Sequence, residues 1–155
     1  MGRRGKALLA ASCFLVLASG CGESEGVASG AAVTTYVVSP LCAGAEQELT
    51  KQGGKAGDVR VRAICLPSAE RGKQLELATI GANARRATED STTVGYIGEP
   101  TKAASRFSEP ILEEAGIAQL PASSGAAAMA KLLQAVKHAS GDSSSLRQSV
   151  NDELS

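Results

Sequence analysis

VGYIGEPTKAASRFSEPILEEAGIAQL, residues 94–120, holds the pattern that decides the fold. It runs from an apolar stretch through a Gly-Glu-Pro turn into helical periodicity, then through Gly116 into a second apolar stretch. Strand, helix and strand in that order form a crossover unit, which places two strands side by side and parallel. Within the helix, Ala104, Phe107, Ile111 and Ala115 fall on one stripe, and Gly116 suits the left-handed residue that closes it. Pro110 interrupts this pattern; it removes a hydrogen bond and disfavours helical geometry before it, so a kink or an irregular first turn is expected.

The same alternation extends in both directions. Upstream, residues 32–38 (AVTTYVV) read as a strand, and 43–54 as a helix with Ala45, Leu49 and Gln52 inward. Residues 58–66 alternate Val59, Val61, Ala63 and Cys65 against Arg60 and Arg62, a strand with one wetter face. Residues 74–90 set Leu77, Ile80, Ala84 and Ala87 at helical spacing, and 92–98 form the third strand. Downstream, 117–121 is a fourth strand, 125–139 a helix rich in strong helix formers, and 146–155 a short terminal helix after a polar linker. This is the pattern of an α/β doubly wound parallel sheet of about four strands, order 2-1-3-4, with helices on both faces. In that order Cys42 and Cys65 lie beyond the carboxyl ends of neighbouring strands, where a disulfide can form; two separate thiols are the alternative.

The amino terminus reads as an address. Arg3, Arg4 and Lys6 precede the apolar run ALLAASCFLVLA, which is too short to span a bilayer stably, and the run ends in LASGC. The LASGC ending resembles a bacterial lipobox, with residues 1–20 as signal peptide and Cys21 as the lipidated first residue of the mature chain. The alternative is an ordinary signal peptide that leaves Cys21 a free thiol. Arg3-Arg4 alone is a weak twin-arginine signal. Residues 21–32 then form a polar tether, and the expected site of action is the outer face of the cytoplasmic membrane, held there by the lipid anchor alone.

Composition excludes several function classes. Without Arg3, Arg4 and Lys6, 13 of the 16 basic residues remain against 16 acidic ones, which gives no attraction to nucleic acid. His138 is the only histidine, so neither a zinc site nor a histidine-based active centre is expected, and no other cofactor is implied. GGKAG lacks the spacing and hydroxyl of a phosphate-binding loop. The acidic pairs at Glu46/Glu48 and Glu113/Glu114 fit solvated helix faces, and His138 fits a favourable charge near a helix carboxyl end. An enzyme is not expected.

GAEQEL, GANARRATED, TVGYIGEP and SEPILEEAGIAQLPASSGAAA, taken in order, resemble the amino-terminal lobe of type I periplasmic binding proteins. The closest likeness is to the substrate-binding lipoproteins of branched-chain amino acid ABC transporters, over about residues 33–139. The resemblance implies a ligand held by two loops at the carboxyl ends of parallel strands. Those loops fall on Thr101 and Lys102 and on Ser123, Ser124 and Gly125. Lys102 and Gly125 stand where the family carries hydroxyls, and the chain supplies only part of one lobe. The expected function is therefore extracytoplasmic binding of a small amino acid or carboxylate, with an ABC-transporter permease as partner. The alternative is a half-lobe interaction module that self-associates, for example as a homodimer, and has lost solute binding.

Overall fold

The structure, a computed structural model, describes residues 32–72, 74–140 and 145–155. The signal peptide, Cys21 and all but the last residue of the tether (21–32) lie outside the described residues. Twelve elements follow in order: β1 (Val33–Val38), α1 (Cys42–Lys51), β2 (Lys55–Ala56), β3 (Val59–Leu66), β4 (Glu70–Arg71), β5 (Gln74–Leu75), α2 (Leu77–Glu89), β6 (Thr93–Ile97), α3 (Lys102–Glu114), β7 (Ala118–Leu120), α4 (Gly125–Ala139) and α5 (Leu146–Leu154).

The fold is α/β around a mixed, mostly parallel sheet. The expected four-stranded sheet of order 2-1-3-4 is corrected to five strands in the order β2-β3-β1-β6-β7. The four apolar runs read from the sequence lie side by side as β3-β1-β6-β7, all parallel. The added strand β2 turns back at Gly57 and pairs antiparallel with β3, Lys55 opposite Arg60. At two residues it is too short for any periodicity to reveal. In a second small hairpin, β4–β5, the strand β5 takes the first two residues of the helix expected over 74–90, and α2 begins only at Leu77.

β1 is buried along its whole length because helices cover both faces of the sheet. On one side Val33 and Val37 join Leu49 of α1, Met129, Leu132 and Val136 of α4, and Leu146 and Val150 of α5. On the other, Tyr36 and Val38 join Ala84 and Ala87 of α2 and Leu112 of α3. The terminal helix is thus a working part of the core. Arg147 on it donates from Nε to Thr93 O (2.7 Å) and from a terminal nitrogen to Ser91 O (2.8 Å), tying α5 to the amino end of β6.

Several inward positions differ from expectation. Gln52 is exposed and bonded to Glu48 (3.2 Å). Leu77 and Phe107 are 50% and 48% exposed. The buried stripe of α3 is Ala104, Ser105, Ser108 and Leu112, rotated by about one residue from the apolar stripe. The rotation is possible because Ser105 and Ser108 find acceptors: Ser105 Oγ donates to Glu99 O (3.4 Å) and Ser108 Oγ to Ser105 O (3.2 Å). Helix α3 runs unbroken through Pro110, and Gly116, at φ 65°, follows it as expected.

Candidate functional site

The turn between β6 and α3 is built around two unusual positions. Gly98 has φ 143°, and a Cβ there would stand 2.8 Å from Val38 Cγ2, so only glycine fits. Glu99 follows through a cis peptide bond and is almost wholly buried, at 1% exposure. Its Oε1 accepts a 2.8 Å hydrogen bond from the Tyr96 hydroxyl, while Oε2 has no partner. Burial raises the Glu99 carboxyl above the usual glutamate range; the Tyr96 hydrogen bond opposes this and the charge of Glu70 adds to it. Burial and the same carboxyl also push the Tyr96 hydroxyl upward, so it remains a donor.

Beside this turn, at the carboxyl ends of β6 and β7, lies a cleft of about 470 Å³. Its lining includes Glu99, Lys102, Ser105, Arg106, Glu109, Gln119 and Ser123. Lys102 and Arg106, one helical turn apart, form no ion pair among the described residues. Gln119 holds the cleft's two sides together: its Nε2 donates to Gly98 O (2.9 Å) and to Ser108 Oγ (2.7 Å). Its Oε1 is buried without a partner.

The five residues expected to hold a ligand are only partly brought together. Lys102 and Ser123 share the cleft. Ser124 lines a neighbouring hollow of about 380 Å³ with Lys131 and Leu154, which Ser123 also borders. Neither cavity is lined by Thr101 or Gly125. The hydroxyls of Thr101 and Ser124 cap helices, accepting from Ala104 N (3.4 Å) and Ala127 N (3.3 Å). Gly125 is buried where α4 meets the Leu41 carbonyl that starts α1. Sequence reasoning passed over Glu99, Gln119 and Ser105. The signal for two of them was present: Gln119 interrupts the apolar run IAQL, and Glu99 directly follows an apolar strand.

Cys42 and Cys65 do meet. Their sulfur atoms are at disulfide contact with Cα atoms 5.8 Å apart, because β1 and β3 pair with Val37 opposite Cys65 and α1 starts at Cys42. His138 lies 3.2 Å from Glu153 Oε1 on α5, so it joins two helices at the surface. Among the described residues no group of three or more His, Cys, Asp or Glu is placed to hold a metal ion, and no helix is long and apolar enough to cross a membrane.

Fold and cleft together define a class: an α/β protein with a mostly parallel sheet and a polar, charge-lined cleft at the strands' carboxyl edge, where open sheets of this kind bind ligands. No protein family, curated protein or solved structure matches the chain.

Proposed function

We propose that the chain is an extracytoplasmic solute-binding lipoprotein, akin to the binding proteins of branched-chain amino acid ABC transporters and reduced to part of one lobe. The observation that carries this reading is the cleft between the β6 and β7 loops, where Lys102 and Arg106 stand with no ion-pair partner of their own. Two cations beside a helix start, set against the single exposed carboxylate of Glu109 in the same cleft, favour a carboxylate-bearing solute. Ser123 supplies a hydroxyl from the facing loop. The lipidated Cys21 would hold the protein at the outer face of the cytoplasmic membrane, with a transporter permease as its partner.

Calorimetry against a panel of amino acids and small carboxylates tests this. A single open cleft buries little of a ligand, so affinity about micromolar or weaker is expected. Lys102→Ala should weaken it about tenfold or more, the loss of one charge-assisted hydrogen bond. No binding at millimolar concentrations discards the reading.

A second reading, a half-lobe interaction module, is favoured by Leu77 and Phe107, which are exposed on α2 and α3, two helices packed against each other. A concentration-dependent mass without any ligand-dependent shift in melting temperature would select it.

A further inference from the structure

Cys42 and Cys65 meet away from the candidate site, since neither lines the cleft between the β6 and β7 loops. The two sulfur atoms belong to unequally open residues. Cys65, one residue before the end of β3, is exposed, whereas Cys42, the first residue of α1, is half-buried. β2 pairs only with Val59 and Arg60, so among the described residues no strand covers the outer side of β3 at Cys65. Exchange requires a thiolate to reach one sulfur of a bridge, so exposed disulfides are the labile ones.

Each sulfur also faces an oxygen that only a thiol can use. Cys42 Sγ lies 3.1 Å from Val37 O, and Cys65 Sγ lies 3.5 Å from Glu46 Oε1, one turn along α1 from Cys42. A bridged sulfur carries no hydrogen and donates to neither oxygen, whereas a thiol is a weak donor to each. An acceptor therefore stands ready for each of the two protons that reduction adds. The two apolar clusters that join helices to sheet number neither cysteine among their buried residues, so opening the bridge lowers stability without removing the core.

We infer that Cys42–Cys65 is a reversible thiol–disulfide exchange site for small external thiols, attacked at Cys65 and opening at Cys42. An external thiolate bonds to Cys65 Sγ as the bond between the two cysteine sulfurs breaks. The electron pair leaves on Cys42 Sγ, which takes up a proton and donates to Val37 O. A second external thiolate bonds to the first external sulfur and displaces Cys65, whose thiol donates to Glu46 Oε1. Two external thiols are thus oxidised to one disulfide, and the protein gains two electrons and two protons. An external disulfide runs both steps backward.

The test uses the exported chain with cysteamine as the thiol, products being trapped by acid and alkylation and assigned to each cysteine by peptide mass spectrometry. Both thiols are expected to come free while near-ultraviolet circular dichroism stays native, and cystamine should restore the bridge. The first species trapped should carry cysteamine on Cys65 and a free thiol at Cys42. Cystamine should label Cys65 in Cys42→Ser about tenfold faster than Cys42 in Cys65→Ser, following access. Glu46→Ala should shift the exchange equilibrium toward the disulfide about threefold, the loss of one weak hydrogen bond. A bridge that opens only on unfolding, a first adduct on Cys42, or an equilibrium that Glu46→Ala leaves unmoved overturns the inference. If a serine variant does not fold, trapping on the wild type still decides it. No readout needs a solute, so failure to bind any solute overturns the cleft reading alone.

Discussion

Gly125 sits directly against the carbonyl of Leu41, so closely that a side chain at 125 would overlap the Leu41 carbonyl and crowd Ala45 N at 3.0 Å. This contact lets α1 and α4 cross at their starts, and Gly44, whose missing Cβ would lie 3.1 Å from Ala126 N, repeats it one turn on. A glycine that resembled part of a ligand loop is therefore explained by helix packing. Gly125→Ala should destabilise the fold by about 3 kcal/mol, the upper range for forcing atoms into a packed site. Urea denaturation without any ligand checks this; an unchanged midpoint would mean that the two helices are not in this contact.

Thr101 and Ser124 are predicted to act on stability more than on binding. Each hydroxyl accepts a backbone hydrogen bond from the first turn of its helix. Replacing either by Ala should cost about 1 kcal/mol, with less loss for Gly. Solute affinity, where present, should change much less than for Lys102→Ala. Paired denaturation and calorimetry separate the two roles.

Bridging of Cys42 and Cys65 closes a loop with a sequence separation of 23. The loop-entropy relation gives such a bridge roughly 3 kcal/mol, a large part of a small domain's stability. Alkylation and mass spectrometry of the native protein should find neither thiol free, and reduction should lower the melting temperature. Two alkylatable thiols in the native chain would exclude the bridge.

Arg147 is expected to be the fastening point of α5. Besides Thr93 O and Ser91 O it reaches Asp90 O at 3.2 Å, so one planar guanidinium serves three backbone carbonyls. Arg147→Ala should cost about 2–4 kcal/mol, and Lys should not restore it, since a single ammonium cannot reproduce the fork. Hydrogen exchange should report the loss as reduced protection in α5 and at the start of β6. Protection unchanged there would contradict the assignment.

At the amino terminus, Cys21→Ser should release the protein from membranes or block its processing, because two acyl chains anchor stably where one does not. Fractionation of cells expressing each form is the measurement. Retention of the variant in the membrane fraction would rule out the lipid anchor.

The sequence by itself determined the four parallel strands and the helices between them, because short apolar runs and helical spacing are local properties that burial on a two-sided sheet only reinforces. It also held the ingredients of the cysteine pair, since parallel strands fix which carboxyl ends become neighbours. Tertiary structure alone decided the rest. The two-residue strands β2, β4 and β5 carry no period, so only their partners define them. The buried face of α3 was set by the Glu99 carbonyl that accepts from Ser105 and by Gln119, which donates to Ser108, both supplied from other segments, which outweighed burying Phe107. The roles of the candidate ligand residues divided for the same reason. Whether a hydroxyl caps a helix or faces a cleft, and whether a glutamate is solvated or buried against a tyrosine hydroxyl, depends on what other parts of the chain place around it.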